Sequence, residues 1–243
     1  MAADSEDIFG RVIRKLERLA HLEETDRQAI QALPARIETH PAHSVVVKDG
    51  ARATHCTLLI GGFACRHKEM RDGTRQIVSF HLAGDILDLQ HLFLRHSDHV
   101  VRTLSPATVA RVASQDLRTL AAARPHVAEA LWRDALIDAS IAREWVMNIG
   151  RRGALARIAH LLCEYAARRE AAGLGSPERF DLPMTQEQIG DATGLTSVHV
   201  NRKLHDLEKM DVIVRDRRDL HIRDWPRLMR IGDFDPAYLH LAD

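Results

Sequence analysis

The chain has 243 residues, of which 45% are hydrophobic and 28% charged, enough for one large domain or two smaller ones with cores of their own. Its 34 Lys and Arg balance 34 Asp and Glu, so no bulk charge draws it to nucleic acid, and three scattered cysteines, Cys56, Cys65 and Cys163, exclude a disulfide framework or an iron–sulfur cluster. No apolar stretch approaches the roughly 20 residues of a membrane span, and the opening MAADSEDIFGRVIRKLERL lacks the apolar core of a secretion signal, so the expectation is a cytoplasmic protein with no membrane partner.

Two helical patterns come first, Ile8-Phe9-Val12-Ile13-Leu16-Leu19 and then Asp26 to Leu33. From about 37 to 114 the texture changes to short apolar runs: Val45 to Val47, Thr57 to Ile60, Phe63 to Cys65, Ile77 to Phe80 and Thr108 to Val112. Turn pairs Asp49-Gly50, Gly61-Gly62, Asp72-Gly73 and Gly84-Asp85 separate them. Strands this short with glycine turns at such spacing predict an antiparallel roll, a double-stranded β-helix of jelly-roll type enclosing a small cavity. After Ser114 the pattern stays helical. Ala128, Leu131, Ala135, Ala139, Ala142, Val146 and Ile149 recur at intervals of three and four, a narrow alanine-rich seam suited to close helix pairing. Gly150-Arg151-Arg152-Gly153 interrupts that run, because glycine weakens a helix interior by about 1 kcal/mol. A further helix from Ala154 to Arg169 leads to the loop Gly173-Leu174-Gly175-Ser176-Pro177.

The segment 183–209, PMTQEQIGDATGLTSVHVNRKLHDLEK, carries the most information about function. Thr185 and Gln188 make a capping box, Ile189 and Ala192 share an inner face, and Gly194 can take the left-handed conformation that ends a helix. Leu195 plugs the corner, and Thr196 caps a second helix that buries Val200, Leu204 and Leu207. Its other face presents Ser197, Val198, His199, Asn201, Arg202 and His205, side chains with the chemistry of major-groove reading: arginine pairs with guanine, asparagine with adenine, a small apolar group with the thymine methyl. Residues 211–215 and 220–223, around Asp216-Arg217-Arg218-Asp219, read as a hairpin wing whose Arg215, Arg217 and Arg218 reach for phosphates. Residues 183–243 hold nine Lys and Arg against eleven Asp and Glu, so DNA binding here requires Arg202, Lys203, Arg215, Arg217 and Arg218 to share a surface that the carboxylates avoid.

With a roll, a long helix and a winged reader in that order, the chain resembles the Crp/Fnr family of bacterial transcription regulators over nearly all its length, most specifically in TQEQIGDATGLTSVHVNRKLHDLEKMDVI. The resemblance implies an α+β fold divided as 1–124, a sensor roll with N-terminal helices; 125–150, a dimerisation helix; and 151–243, a winged helix-turn-helix. It implies a homodimer on palindromic double-stranded DNA, with RNA polymerase as a partner and no enzymatic activity or catalytic residue. The DNA-binding set it implies is Thr185, Thr196, Ser197, Val198, His199, Asn201, Arg202, Lys203 and Arg217. Val198 departs from the pattern, since many members carry there an acid that accepts from cytosine; a different target site is expected.

Leu82 to Leu89 resembles the loop that cradles phosphate and ribose in cyclic-nucleotide binders of this fold, which makes Gly84, Asp85, Ile86 and Leu87 the expected effector contacts. Leu89 stands where the ribose carboxylate belongs and Val100 near where the arginine belongs, while Arg102 points to the other side of its strand, so cyclic AMP is not expected. His91, His96 and His99 cluster around Asp98, but only His96 and His99 have helical ligand spacing; no metal or haem cofactor is therefore assigned, and a small-molecule effector stays open. Two other readings compete: a metal-dependent β-roll enzyme, and a nucleotide-sensing module that acts on a protein partner.

Overall fold

The computed structural model describes residues 8–241, which leaves the charged opening, residues 1–7, outside the described residues. In chain order it forms α1 (Gly10–Leu19), α2 (Glu24–Gln31), β1 (Ala35–His40), β2 (Val45–Val47), β3 (His55–Gly61), β4 (Phe63–Glu69), β5 (Arg75–Leu82), β6 (Val100–Thr103), β7 (Ala107–Ala113), α3 (Ser114–Ala123) and α4 (Pro125–Arg151). Then follow α5 (Ala154–Ala171), β8 (Arg179–Asp181), α6 (Gln186–Thr193), α7 (Ser197–Lys209), β9 (Ile213–Asp216), β10 (Asp219–Ile222) and α8 (Trp225–Gly232). The chain divides into two compact units, residues 1–68 with 79–138, and residues 69–78 with 139–243. That division falls inside α4, while the helix itself stops at Arg151, beside the glycine pair that the sequence marks as a break.

The first unit is the expected antiparallel roll. Its sheets have the orders β1-β7-β3 and β2-β6-β4-β5. Every apolar run expected as a strand is one; β1 and β6 were not expected. β1, ARIETH, has no apolar alternation strong enough to announce it, and its register against β7, Ala35 opposite Val112 through His40 opposite Ala107, is supplied by the partner strand. β6 has only four residues, too few for a period to show. Gly62 lets the β3–β4 turn close: its φ is +95°, and a Cβ there would lie 2.5 Å from the Pro106 carbonyl oxygen. α1 buries Val12, Ile13, Leu16 and Leu19 against Leu58, Val112, Leu117, Val127, Ala130 and Leu131, so the N-terminal helix and the first turns of α4 complete the core that the roll opens on that side.

α4 corrects the seam read from the sequence. Ala135, Ala139, Ala142 and Val146 are exposed along one face as expected, but Leu131 belongs to the unit's own core and Ala128 and Ile149 are half-buried. Trp132, Leu136 and Met147 join the exposed face instead. The buried series is Val127, Leu131, Asp134, Ile141, Trp145 and Asn148. Two stripes with the same three-four spacing run along one helix, and periodicity records that a stripe is covered without recording by what.

In the second unit α5 supplies the central layer, burying Ile158, Leu162 and Cys163, around which Ile189, Leu204, Leu207, Ile213, Leu220 and Leu228 are fully buried. α8 approaches α5 so closely that a Cβ on Gly232 would stand 2.7 Å from the His160 amide nitrogen. The wing has three strands in the order β8-β10-β9, all antiparallel, one more than the hairpin expected.

Candidate nucleic-acid interface

The reader is built from caps and one close contact. Thr185 and Gln188 cap each other at the start of α6, Gln188 N–H to the Thr185 hydroxyl at 3.2 Å and Thr185 N–H to the Gln188 amide oxygen at 2.9 Å. Gly194 ends α6 in the left-handed region, at φ 68°. Thr196 starts α7 by accepting the His199 N–H at 3.3 Å. Arg157 of α5 donates from Nη1 to the Thr193 carbonyl at 3.0 Å, which satisfies the last turn of α6 and ties it to the central layer. Nothing in the sequence announces Arg157, because the bond spans 36 residues.

α7 buries Val200, Leu204 and Leu207 and exposes Ser197, Val198, Asn201, Arg202 and His205. Thr185 and Thr196 are exposed at the two helix starts, and His199 is half-buried at the edge of the strip. Val198 is 69% exposed. Arg202, Arg217 and Arg218 are exposed and make no ion pair with any described residue. Arg217 heads the wing at φ 55°, in the exposed turn between β9 and β10.

The expected cationic surface is narrower than five residues. Arg215 is clamped by Glu208, Nε to Oε1 at 2.9 Å and Nη2 to Oε2 at 2.8 Å, and Lys203 is paired with Asp206 at 2.6 Å. Those hydrogen bonds hold the Glu208 and Asp206 carboxyls below the usual carboxylate range. The carboxylates do not face away; they sit one turn from the cations on the same helix or across from the wing, which leaves Arg202, Arg217 and Arg218 as the unneutralised charges.

In the first unit the loop after β5 is closed. Gly84, Asp85, Ile86 and Leu87 are all buried, and the N–H groups of Gly84, Asp85 and Leu87 go to the carbonyls of Leu59, Leu82 and Thr57 at 2.7, 3.0 and 2.8 Å. Gly84, Asp85 and Leu87 therefore brace the roll instead of presenting donors to an anion. The Asp85 carboxylate is engaged as well: Lys15 bridges it at 2.8 Å and Asp134 of α4 at 2.7 Å. Beside it Arg66 pairs with Asp138 at 2.7 Å and donates to the Leu87 carbonyl at 2.8 Å. Burial alone would raise the Asp138 carboxyl, but the charges of Arg66 and His81 and the Arg66 hydrogen bond outweigh it, and the group stays below its ordinary range. This ionic cluster went unseen in the sequence, since its members come from α1, β4, the loop and α4. Arg102 donates to the His43 carbonyl at 3.2 Å. Among the described residues no three His, Cys, Asp or Glu side chains converge as metal ligands would, and His91 sets Nδ1 3.0 Å from the His55 carbonyl.

A roll followed by such a helix-turn-helix has counterparts among known proteins. Residues 37–124 match the model of the cyclic nucleotide-binding domain, and residues 156–231 match that of the Crp-like helix-turn-helix domain. The chain belongs to the Crp/Fnr family. It is 28% identical to the transcriptional activator protein FnrL of Cereibacter sphaeroides over 195 residues, which cover 79% of this chain and 78% of that protein. To the nitrogen fixation regulation protein FixK of Azorhizobium caulinodans it is 29% identical over 191 residues, 78% of this chain and 76% of that one. The solved structure of FixK2 from Bradyrhizobium japonicum superposes with a TM-score of 0.76 at 25% identity, covering 84% of this chain and all of that one. This Crp/Fnr protein is thus a DNA-binding transcription regulator, and the reading of the roll as a metal-dependent enzyme falls, because the relatives it matches over most of their length are regulators. No helix of the described residues is long and apolar enough to cross a membrane.

Proposed function

We propose that two copies pair along α4 and place their α7 helices in successive major grooves of a palindrome, about one DNA turn or roughly 34 Å apart. The observation that carries this reading is the exposed strip of Ser197, Val198, Asn201 and Arg202 on a helix whose other face is wholly buried. Arg202 donates to a guanine edge, Asn201 to adenine, and Val198 covers a thymine methyl; Thr185, Thr196 and Arg217 contact the backbone, with His199 and Lys203 at the rim. The apolar stripe of Trp132, Leu136, Ala139, Ala142 and Val146 supports α4 as the pairing helix, which divides the chain into sensor (1–124), dimer helix (125–150) and reader (151–243). A signal in the roll shifts the break near Gly150 and with it the spacing of the two readers, by as much as the signal's difference in affinity for the two arrangements. The protein works in the cytoplasm, where it meets DNA and RNA polymerase.

Binding to genomic fragments selected by the protein tests the assignment. Arg202→Ala is expected to cost about 1–3 kcal/mol at one base position and to relax preference there, whereas Arg217→Ala weakens all sequences alike and lowers the salt dependence by about one phosphate contact. Unchanged affinity in a folded, dimeric Arg202→Ala variant removes Arg202 from the base-reading set and refutes this docking of α7. Val198→Glu is expected to exchange the thymine contact for a cytosine amino group and so to change the preferred base at one step of each half-site, by about 1–3 kcal/mol. A site-selection experiment that returns the same consensus for both proteins removes Val198 from the base-reading set.

A further inference from the structure

Trp145, His160 and Glu164, all buried, form with the half-buried Tyr238 a network in the second unit that DNA reading does not use. Glu164, 2% exposed, accepts on one oxygen, Oε2, both the Trp145 indole N–H at 2.9 Å and the Tyr238 hydroxyl at 2.8 Å, and Arg168 reaches its other oxygen at 3.4 Å. One turn earlier on α5, His160 is 1% exposed, with Nε2 3.0 Å from the Tyr238 oxygen and Nδ1 3.2 Å from the Gly232 carbonyl. The Tyr238 ring stacks on the imidazole at 5.8 Å between centroids. These contacts fasten the segment after α8 to α5 and to the last turns of α4.

The protons do not come out even. The Gly232 carbonyl only accepts, so Nδ1 must carry a hydrogen. The Glu164 carboxylate only accepts, so the Tyr238 proton points toward it. The Tyr238 oxygen then requires a hydrogen from Nε2, and every contact is made only if the network holds one proton more than a neutral imidazole and a carboxylate supply. That proton belongs on His160 Nε2, which then donates to the Tyr238 oxygen. Without it the Tyr238 hydroxyl serves either Glu164 or His160, and the other is left facing a lone pair.

We propose that His160, Tyr238 and Glu164 are a proton-controlled latch that holds the C-terminal segment against the junction of α4 and α5. Loaded with its proton the latch closes all its links; unloaded it lacks one. The charged groups facing it are Glu144, 3.7 Å from His160 Nε2, Arg152, bound to Glu144 at 2.7 Å and to Asp233 at 3.1 Å, and Arg168. Glu144, Glu164 and Asp233 favour the proton; Arg152 and Arg168 oppose it. Burial first and Arg152 second bring His160 below its ordinary value, so the latch loads only below the ordinary histidine midpoint and is one link short at neutral pH.

The indole N–H of Trp145 reports the state of Glu164 directly. In the 15N-labelled full-length protein its resonance, assigned by its loss in Trp145→Phe among the three tryptophans, is followed from roughly pH 8 to pH 5. A shift that follows a single proton is expected below the ordinary histidine midpoint, and Tyr238→Phe, which keeps the ring stack and removes the hydroxyl link, abolishes it. If that variant does not fold, Glu164→Gln must abolish it instead. A Trp145 resonance that stays still across the range in the folded native protein overturns the latch, as does one that titrates identically in the variant.

Discussion

Gly190→Ala is expected to abolish DNA binding and to lower the stability of the second unit by about 2–3 kcal/mol, while the first unit keeps its own unfolding transition. The residue lies inside α6, where alanine is ordinarily better than glycine by about 1 kcal/mol, so propensity alone predicts a gain. Close packing reverses the sign. An added Cβ would overlap the Leu195 carbonyl oxygen, and behind it stands the Ser197 amide nitrogen at 3.7 Å. These are backbone atoms of the turn and the first residue of α7, and neither can rotate away as a side-chain tip would. The Leu195 N–H also bonds to the Gly190 carbonyl at 3.1 Å, so the overlap breaks the link that sets the angle between the two helices. Calorimetry of the full chain, with anisotropy on a labelled operator, checks both halves; a variant that melts and binds as the native protein does would show that the turn can shift at no cost.

Lys15→Met carries the other large effect, a loss of about 3 kcal/mol from the first unit. Breaking a buried ion pair by removing one partner costs about 3–5 kcal/mol, and the lower end applies because the Lys15 side chain keeps 23% of its exposure. The cost lies in what is left behind: Asp85 and Asp134 lose the ammonium they share, at 12% and 10% side-chain exposure. Burial raises the Asp134 carboxyl above its ordinary range even with Lys15 pulling it down, and without Lys15 it rises further. A carboxyl raised in the folded state favours the protonated fold. Its contribution is therefore fully present below the unfolded value, near 4, and lost as pH climbs through the folded one. The deficit of the variant is largest at neutral pH and shrinks on acidification, and Lys15→Met with Asp134→Asn recovers part of it at pH 7. Denaturant midpoints at two pH values decide the matter; a deficit that does not change with pH, or no recovery in the double variant, would place the cost in lost packing of the lysine stem.

Much of the reader was legible beforehand because its signals are local. Thr185 with Gln188, Gly194 and Thr196 act within four residues of themselves, and the turn requires those residue types whatever surrounds it. The same holds for the short strands of the roll, where alternation and glycine turns repeat within the span of one hairpin. Charge was misjudged for the complementary reason. Lys203 and Arg215 look as available in the sequence as Arg202 and Arg217, and only the folded wing brings Arg215 across to Glu208. Likewise Leu131 carries the period of the exposed alanines, and the packing of the first unit's core, to which α1 contributes, claims it.

The helical and strand-rich stretches, the caps, the turn glycines and the chemistry of the exposed strip on α7 were thus determined by the chain itself, since each depends on dihedral preference or spacing among near neighbours. Tertiary structure decided which cations remain free, which stripe of α4 stays uncovered, that Gly84, Asp85 and Leu87 after β5 spend their own N–H groups, and that Lys15, His160 and Glu164 are held in ionic and hydrogen-bonded clusters. Those outcomes depend on desolvation and on partners tens of residues away, and neither leaves a periodic trace in a linear sequence.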